Sequence, residues 1–240
     1  MDEAIDKVRK EMTDQANWAR ARSKMYRFLS AAFLELPSKT LVASLLADGF
    51  IKELEELFEA AGVEGLRQFV RGFQGDYESL DREFQDLFMV PLGRYVTPYE
   101  SVYRDEREVG DGRVQGLLMG PSTLAVKQLY REAGAAVSED FKDLPDHVGL
   151  ELACMEFLCE TEAGAWEQEH LDDAQRMRGL QKRLLHEHLL QWVPALCGRI
   201  RENALGPFYR GIAGLTEAYL RQETDLSSSD PAAAYGFHAG

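Results

Sequence analysis

Three short stretches of the chain concentrate the residue types that do chemistry. In Leu144-Pro145-Asp146-His147-Val148-Gly149-Leu150-Glu151-Leu152, a carboxylate and an imidazole stand one helical turn before a second carboxylate. An acid four residues after a histidine can pair with it, or the group can await a cationic ligand. In Thr97-Pro98-Tyr99-Glu100-Ser101-Val102-Tyr103, Thr97 and Glu100 have the spacing of a capping box, with Pro98 at the first helical position. Tyr99 and Tyr103, four apart, would share a helix face and offer a partner two aromatic surfaces with polar tips, or pack in the core. In His186-Glu187-His188-Leu189-Leu190-Gln191-Trp192-Val193-Pro194, His188 and Trp192 share a face, and Trp192 reads as a core anchor at an interhelix corner.

None of these assembles into a catalytic signature. The chain has no GxSxG elbow, no Walker-type loop and no GxGxxG after a strand, so no enzyme activity is expected. His186 and His188 are two apart and diverge on a helix, and Cys154 and Cys159 lack a zinc spacing. His147 with Cys154 is the nearest approach to a metal pair, and no metal or other cofactor is expected.

The elements that would position these residues are helices. From Asn17 to Leu36, Trp18, Met25, Leu29, Ala32 and Phe33 recur at three- and four-residue steps, and Pro37 stops the run. Shorter helices are predicted at 39–47, 51–61 and 64–72, with Gly62 as a left-handed terminal residue, and a further one at 76–89. Pro121 opens a helix ending at Gly134, and helical blocks follow at 145–166, 170–190, 193–204 and 207–222. On a wheel of about 100° per residue, Val148, Leu152, Met155, Cys159 and Trp166 form one apolar stripe. His147, Glu151, Cys154 and Leu158 form the adjacent one, and Asp146, Glu156 and Glu160 lie opposite. That helix should be central. No segment alternates as a strand would, so the fold class is all-α: a single-domain bundle of about ten helices over 1–222. A hinge is placed at 135–144, and the tail 223–240, rich in serine and small residues, is expected to be disordered.

Composition narrows the partners. The chain has 45% hydrophobic residues, enough for a core, and a net charge of -14 that repels phosphate backbones and anionic lipid. Nucleic acid and membrane insertion are therefore excluded as expectations, and basic peptide segments are favoured. From Glu139 to Asp173 twelve acidic residues, Asp146, Glu151, Glu156 and Glu160 among them, face Lys142 as the sole lysine or arginine. No apolar run is long enough to span a bilayer, the N-terminus is charged throughout, and three cysteines without CxxC spacing suit a reducing compartment. A cytoplasmic location is expected.

The three stretches occur together and in order in one family. The chain resembles the TorD/DmsD/NarJ family of cytoplasmic chaperones for molybdenum-containing oxidoreductases from about Ala19 to Leu220. The resemblance rests on Tyr26-Arg27-Phe28-Leu29, Pro98-Tyr99-Glu100-Ser101-Val102-Tyr103, the helix containing Tyr130 and ending at Gly134, and Pro145-Asp146-His147 with Gly149-Leu150-Glu151-Leu152. It continues in His188-Leu189 through Trp192 and Pro194, and in Pro207-Phe208-Tyr209. It implies a chaperone, monomer or homodimer, that binds the signal peptide or N-terminal segment of a molybdopterin oxidoreductase catalytic subunit until cofactor is inserted. Asp146, His147, Glu151, Glu156, Glu160, Tyr99, Glu100, Tyr103, Trp192 and His188 become the implied peptide-binding residues, the carboxylates for arginines and the aromatics for the apolar part. Leu144 stands where some members carry a glutamate, which displaces or removes that acidic contact. A helical protein binding a cofactor or nucleotide, and an acidic adaptor with no maturation role, remain open alternatives.

Overall fold

The computed structural model describes residues 2–109, 112–116, 118–137 and 141–228. Eleven α-helices and one short β-hairpin are present among them, so the chain is all-α in class. Contacts group the chain into two compact units, Met1–Leu41 with Thr97–Trp192, and Val42–Val96 with Val193–Gly240. The chain passes between them three times, so neither unit is one continuous stretch. No helix among the described residues is long and apolar enough to cross a membrane.

The first unit is built on α1 (Asp2–Leu34) packed along α8 (Val148–Glu167), with α9 (Leu171–Arg183) on α8 as well. Ala16, Ala19, Tyr26, Leu29, Ala32 and Phe33 supply the buried face of α1, at helical spacing. The helix starts well before Asn17, because Asp2–Gln15 is made of good helix formers with a Lys7–Glu11 pair one turn apart. In α8 both stripes of the wheel are buried, Val148, Leu152, Met155 and Cys159 fully.

Glu162 on α8 is buried too, despite its charge. It is fully satisfied: Trp166 Nε1 donates to Oε1 at 3.0 Å, the Arg178 guanidinium donates to the same oxygen, and Gln181 Nε2 donates to Oε2 at 2.9 Å. Arg22 of α1 stands 3.6 Å away. This one carboxylate ties three helices together.

The remaining elements of this unit are α6 (Glu100–Arg104), the hairpin β1 (Glu106–Val109) and β2 (Gly112–Gln115), and α7 (Pro121–Ala133). The antiparallel hairpin pairs Glu106 with Gln115 and Val109 with Gly112. Four residues per strand are too few to show alternation, and its backbone ladder needs no apolar pattern, so sequence reading missed it. Pro121 occupies the first turn of α7 and Gly134 ends it at φ 73, both as expected. Of the 135–144 loop, residues 138–140 lie outside the described residues. After α9 a π-helical turn, Leu184–Leu189, leads into α10 (Leu190–Asn203), which continues through Pro194.

In the second unit α4 (Ala60–Gly72) lies against α11 (Pro207–Ser228), with α3 (Phe50–Leu57) on α4. An α-carbon hydrogen is all that fits where they cross: a Cβ on Gly65 would sit 2.5 Å from Gly211 N, and one on Gly211 2.4 Å from Leu66 N. Gly62 is not a left-handed terminal residue, as the sequence suggested; it lies in the first turn of α4, where a Cβ would meet the Ala218 methyl at 2.8 Å. Glycine was read as a stop signal and serves as a spacer. α5 (Tyr77–Phe84), capped by Asp76, runs on into a π-helical turn, Gln85–Met89, and brings Phe84 and Phe88 onto Tyr209. α11 extends to Ser228, six residues past its expected end, and buries Glu223; residues 229–240 of the expected tail lie outside the described residues.

Replacing Gly65 or Gly211 by alanine should force the two helices apart. We expect a loss of about 1–3 kcal/mol in chemical denaturation for each variant, whereas Gly179→Ala, where the added methyl meets open space, should not destabilise.

Candidate functional site

The site forms where two helices begin side by side. The segment ahead of α6 and the segment ahead of α8 cross as an antiparallel bridge at Tyr99 and His147. Glu100 N–H donates to the Asp146 carbonyl at 2.9 Å, and Val148 N–H donates to the Pro98 carbonyl at 2.9 Å. Ser101 N–H donates to Asp146 Oδ2 at 2.9 Å, so Asp146 caps α6 from a segment 45 residues away. Each helix start therefore takes an otherwise unpaired N–H of the other.

This arrangement corrects the local reading of both segments. The Thr97–Glu100 capping box does not form: α6 begins at Glu100, Tyr99 holds its N-cap position in extended backbone, and the cap is supplied by Asp146. Tyr99 and Tyr103 consequently do not share a face. The Tyr99 hydroxyl donates to Asp143 at 2.6 Å and its ring stands on His147, whereas Tyr103 packs on Trp192 at 5.3 Å. Likewise α8 begins at Val148 rather than Pro145, because His147 itself is the cap: its Nδ1 accepts from Gly149 N–H at 3.1 Å. Tyr130 holds the preceding turn by donating to the Pro145 carbonyl at 2.9 Å.

His147 is accordingly not the partner of Glu151. Glu151 Oε2 accepts from Trp192 Nε1 at 3.1 Å, and Oε1 has no hydrogen-bond partner among the described residues. Glu100 is engaged differently, by His188 Nδ1 at 2.8 Å and by the Arg104 guanidinium, which also donates to the Glu187 carbonyl at 2.6 Å. Glu100, Asp146 and Glu151 are all fully buried. Burial, then the neighbouring Glu100 and Asp146 charges, push the Glu151 carboxyl well above the usual carboxylate range, which favours its protonated form. Burial also drives His147 down to about 4, with Asp143 and Asp146 opposing, which keeps Nδ1 a neutral acceptor. Cys154 is pushed up to about 12 by burial and Glu151, an unreactive thiol.

Eight of the ten sequence-indicated residues thus come together: Tyr99, Glu100, Tyr103, Asp146, His147, Glu151, His188 and Trp192. Glu156 and Glu160 do not join them. They lie along α8 with arginines of α1, Glu156 2.6 Å from Arg27 and Glu160 3.5 Å from Arg20. Arg104 and Ser101 were missed, although Arg104 stands one turn from Glu100, a spacing that signals a pair. The edge of the cluster reaches solvent: Asp143 and Arg104 are exposed, and Tyr99 and Tyr103 are partly so. Among the described residues no group of three or more His, Cys, Asp or Glu side chains is placed to hold a metal ion. The arrangement is a buried, acid-lined cluster with an aromatic and carboxylate edge.

Comparison with known proteins finds relatives over most of the chain. Residues 51–198 match the nitrate reductase delta subunit family. Over 215 residues the chain is 26% identical to a chaperone protein TorD of Vibrio cholerae serotype O1, covering 84% of this chain and 90% of that one. Similarity to a chaperone protein TorD of Shewanella pealeana is 25% over 231 residues, covering 94% and 98%. A Tat proofreading chaperone DmsD of Salmonella typhi is 30% identical over 145 residues, 60% of each chain.

The two perturbed groups shape stability with pH in opposite senses. The stabilising preference of His147 for its neutral form is complete above about 6.5 and is lost as pH falls towards 4, worth roughly 3 kcal/mol. The contribution of protonated Glu151 is complete below about 4.5 and is lost as pH rises through its raised value. Denaturation from pH 4 to 8 should therefore show His147→Asn gaining stability relative to wild type on acidification. Glu151→Gln should gain relative to wild type as pH rises.

Proposed function

The chain belongs to the nitrate reductase delta subunit family, and from that membership we propose that it is a cytoplasmic chaperone for the maturation of a molybdopterin oxidoreductase. Its relatives are chaperones and not enzymes, and the likeness to the TorD chaperones runs over most of the chain. That near full-length likeness is the observation that carries the reading. In this proposal the chaperone holds the signal peptide or N-terminal segment of the catalytic subunit while cofactor is inserted, before export or assembly.

The buried groups act as scaffold in this reading. Asp146, His147, Glu100, Glu151, His188 and Trp192 hold the paired helix starts and keep Tyr99, Tyr103 and Asp143 at a fixed edge. A client arginine pairs with the Asp143 carboxylate, which already accepts from Tyr99, and the tyrosine rings cover the client's apolar residues. Glu156 and Glu160 extend the acidic track along α8, where a client arginine exchanges with Arg27 or Arg20. Guanidinium suits this better than ammonium, because its planar fork meets a carboxylate with two hydrogen bonds.

Calorimetric titration tests the proposal. The probe is the N-terminal peptide of the molybdoenzyme subunit encoded nearest to this chain's gene, beside the same peptide with arginines changed to lysine. The arginine peptide should bind, the lysine peptide about tenfold more weakly, and Asp143→Asn should weaken the first by a similar factor with an unchanged melting temperature. Absence of binding to either peptide would move the client contact to the folded catalytic subunit.

A further inference from the structure

Outside this site, three arginines converge on one cleft of the second unit. Arg201 of α10 and Arg210 and Arg221 of α11 line a cleft of about 440 Å³, with Leu57, Phe58, Glu59, Ala61 and Gly62 on the opposite wall. A chain with 27 basic against 41 acidic residues concentrates positive charge here. Glu217 sits between two of them, 2.7 Å from Arg201 Nη1 and 3.2 Å from Arg221 Nη2, and fixes their heads without spending all their donors. Arg210 is exposed, and its side chain makes no ion pair or hydrogen bond with any described residue. The first turn of α4 opens onto the same cleft with Glu59 at its N-cap, so the lining carries three arginines against two glutamates. Beside the arginines Leu57 is 59% exposed, an apolar shelf.

We propose that this cleft docks an acidic segment of a partner polypeptide, its carboxylates on Arg210 and Arg221 and an apolar side chain on Leu57. The open form of the site decides for a polypeptide over a small anion. Small ligands are bound with most of their surface enclosed, whereas Arg221 is 67% exposed here. Polyphosphate chains are opposed by the net charge of -14 on the whole chain. The inference does not depend on the chaperone reading, which concerns basic client segments.

Fluorescence anisotropy of the full chain with a fluorescein-labelled Glu-Leu-Glu-Glu-Leu-Glu peptide tests it, beside a peptide with glutamine for every glutamate and with inorganic pyrophosphate as competitor. The glutamate peptide should bind, the glutamine peptide should not, and Arg210→Glu should weaken binding about tenfold or more. Arg210→Gln provides an intermediate loss should the charge reversal disturb folding, which circular dichroism reads. The proposal is overturned if the glutamate peptide fails to bind, if Arg210→Glu and Arg210→Gln both bind like wild type, or if pyrophosphate displaces the peptide at comparable concentration, which marks a free-anion site. Binding of the arginine-bearing client peptide should be unchanged in Arg210→Gln, so the two readings fail separately.

Discussion

Two helix N-termini that satisfy each other organise the site. The first N–H groups of any helix have no partner within it and must find one. α6 is only five residues long, Glu100–Arg104, and could not hold its geometry by propensity alone. Asp146 answers both its first N–H groups, one with a backbone carbonyl and one with a side-chain oxygen. In return Pro98 takes the first N–H of α8. The directions of Tyr99, Glu100, Tyr103 and His147 follow from this exchange, since each is within a residue or two of a bonded atom.

Burying carboxylates is costly unless they are paired or protonated, and the first unit uses both routes. Glu162 is surrounded by an indole, a guanidinium and an amide, so it serves as a junction between α1, α8 and α9. Glu100 has an imidazole and a guanidinium. Glu151 has only the Trp192 indole, and burial together with the Glu100 and Asp146 charges favours its protonated form. The acidic character of the segment thus divides into an inner set that builds the scaffold and an outer set that faces solvent. Of that outer set, Glu156 and Glu160 already hold arginines of the same chain.

The second unit is held by a different device. Gly65 and Gly211 let α4 and α11 approach until backbone meets backbone, and the aromatic group of Phe69, Phe84, Phe88, Phe208 and Tyr209 fills the space beside them. Close approach gains dispersion contacts over a long line of atoms, which suits a unit with few buried charges. Its arginine cleft lies near that crossing, with Gly62, Gly214 and Ala218 in its lining.

The sequence by itself determined the helical class, the termini at Pro121, Gly134 and Asp76, the buried stripes of α8 and the membership of the three chemical stretches in one group. Each depends on local physics: periodicity, a missing N–H, a tolerated positive φ, or the joint occurrence of motifs. Only the tertiary structure decided who pairs with whom. The sequence offered Thr97 as the cap of α6 and His147 as the partner of Glu151, because both are near in the chain. In the fold the cap comes from Asp146 and the partner is Trp192, 41 residues from Glu151. A hydrogen bond is won by the donor that packing brings within about 3 Å in the right direction, and chain proximity does not set that distance once long-range contacts fix the backbone. Glu162 shows the same limit, since a carboxylate on a helical wheel carries no mark of the arginine and tryptophan that make its burial affordable.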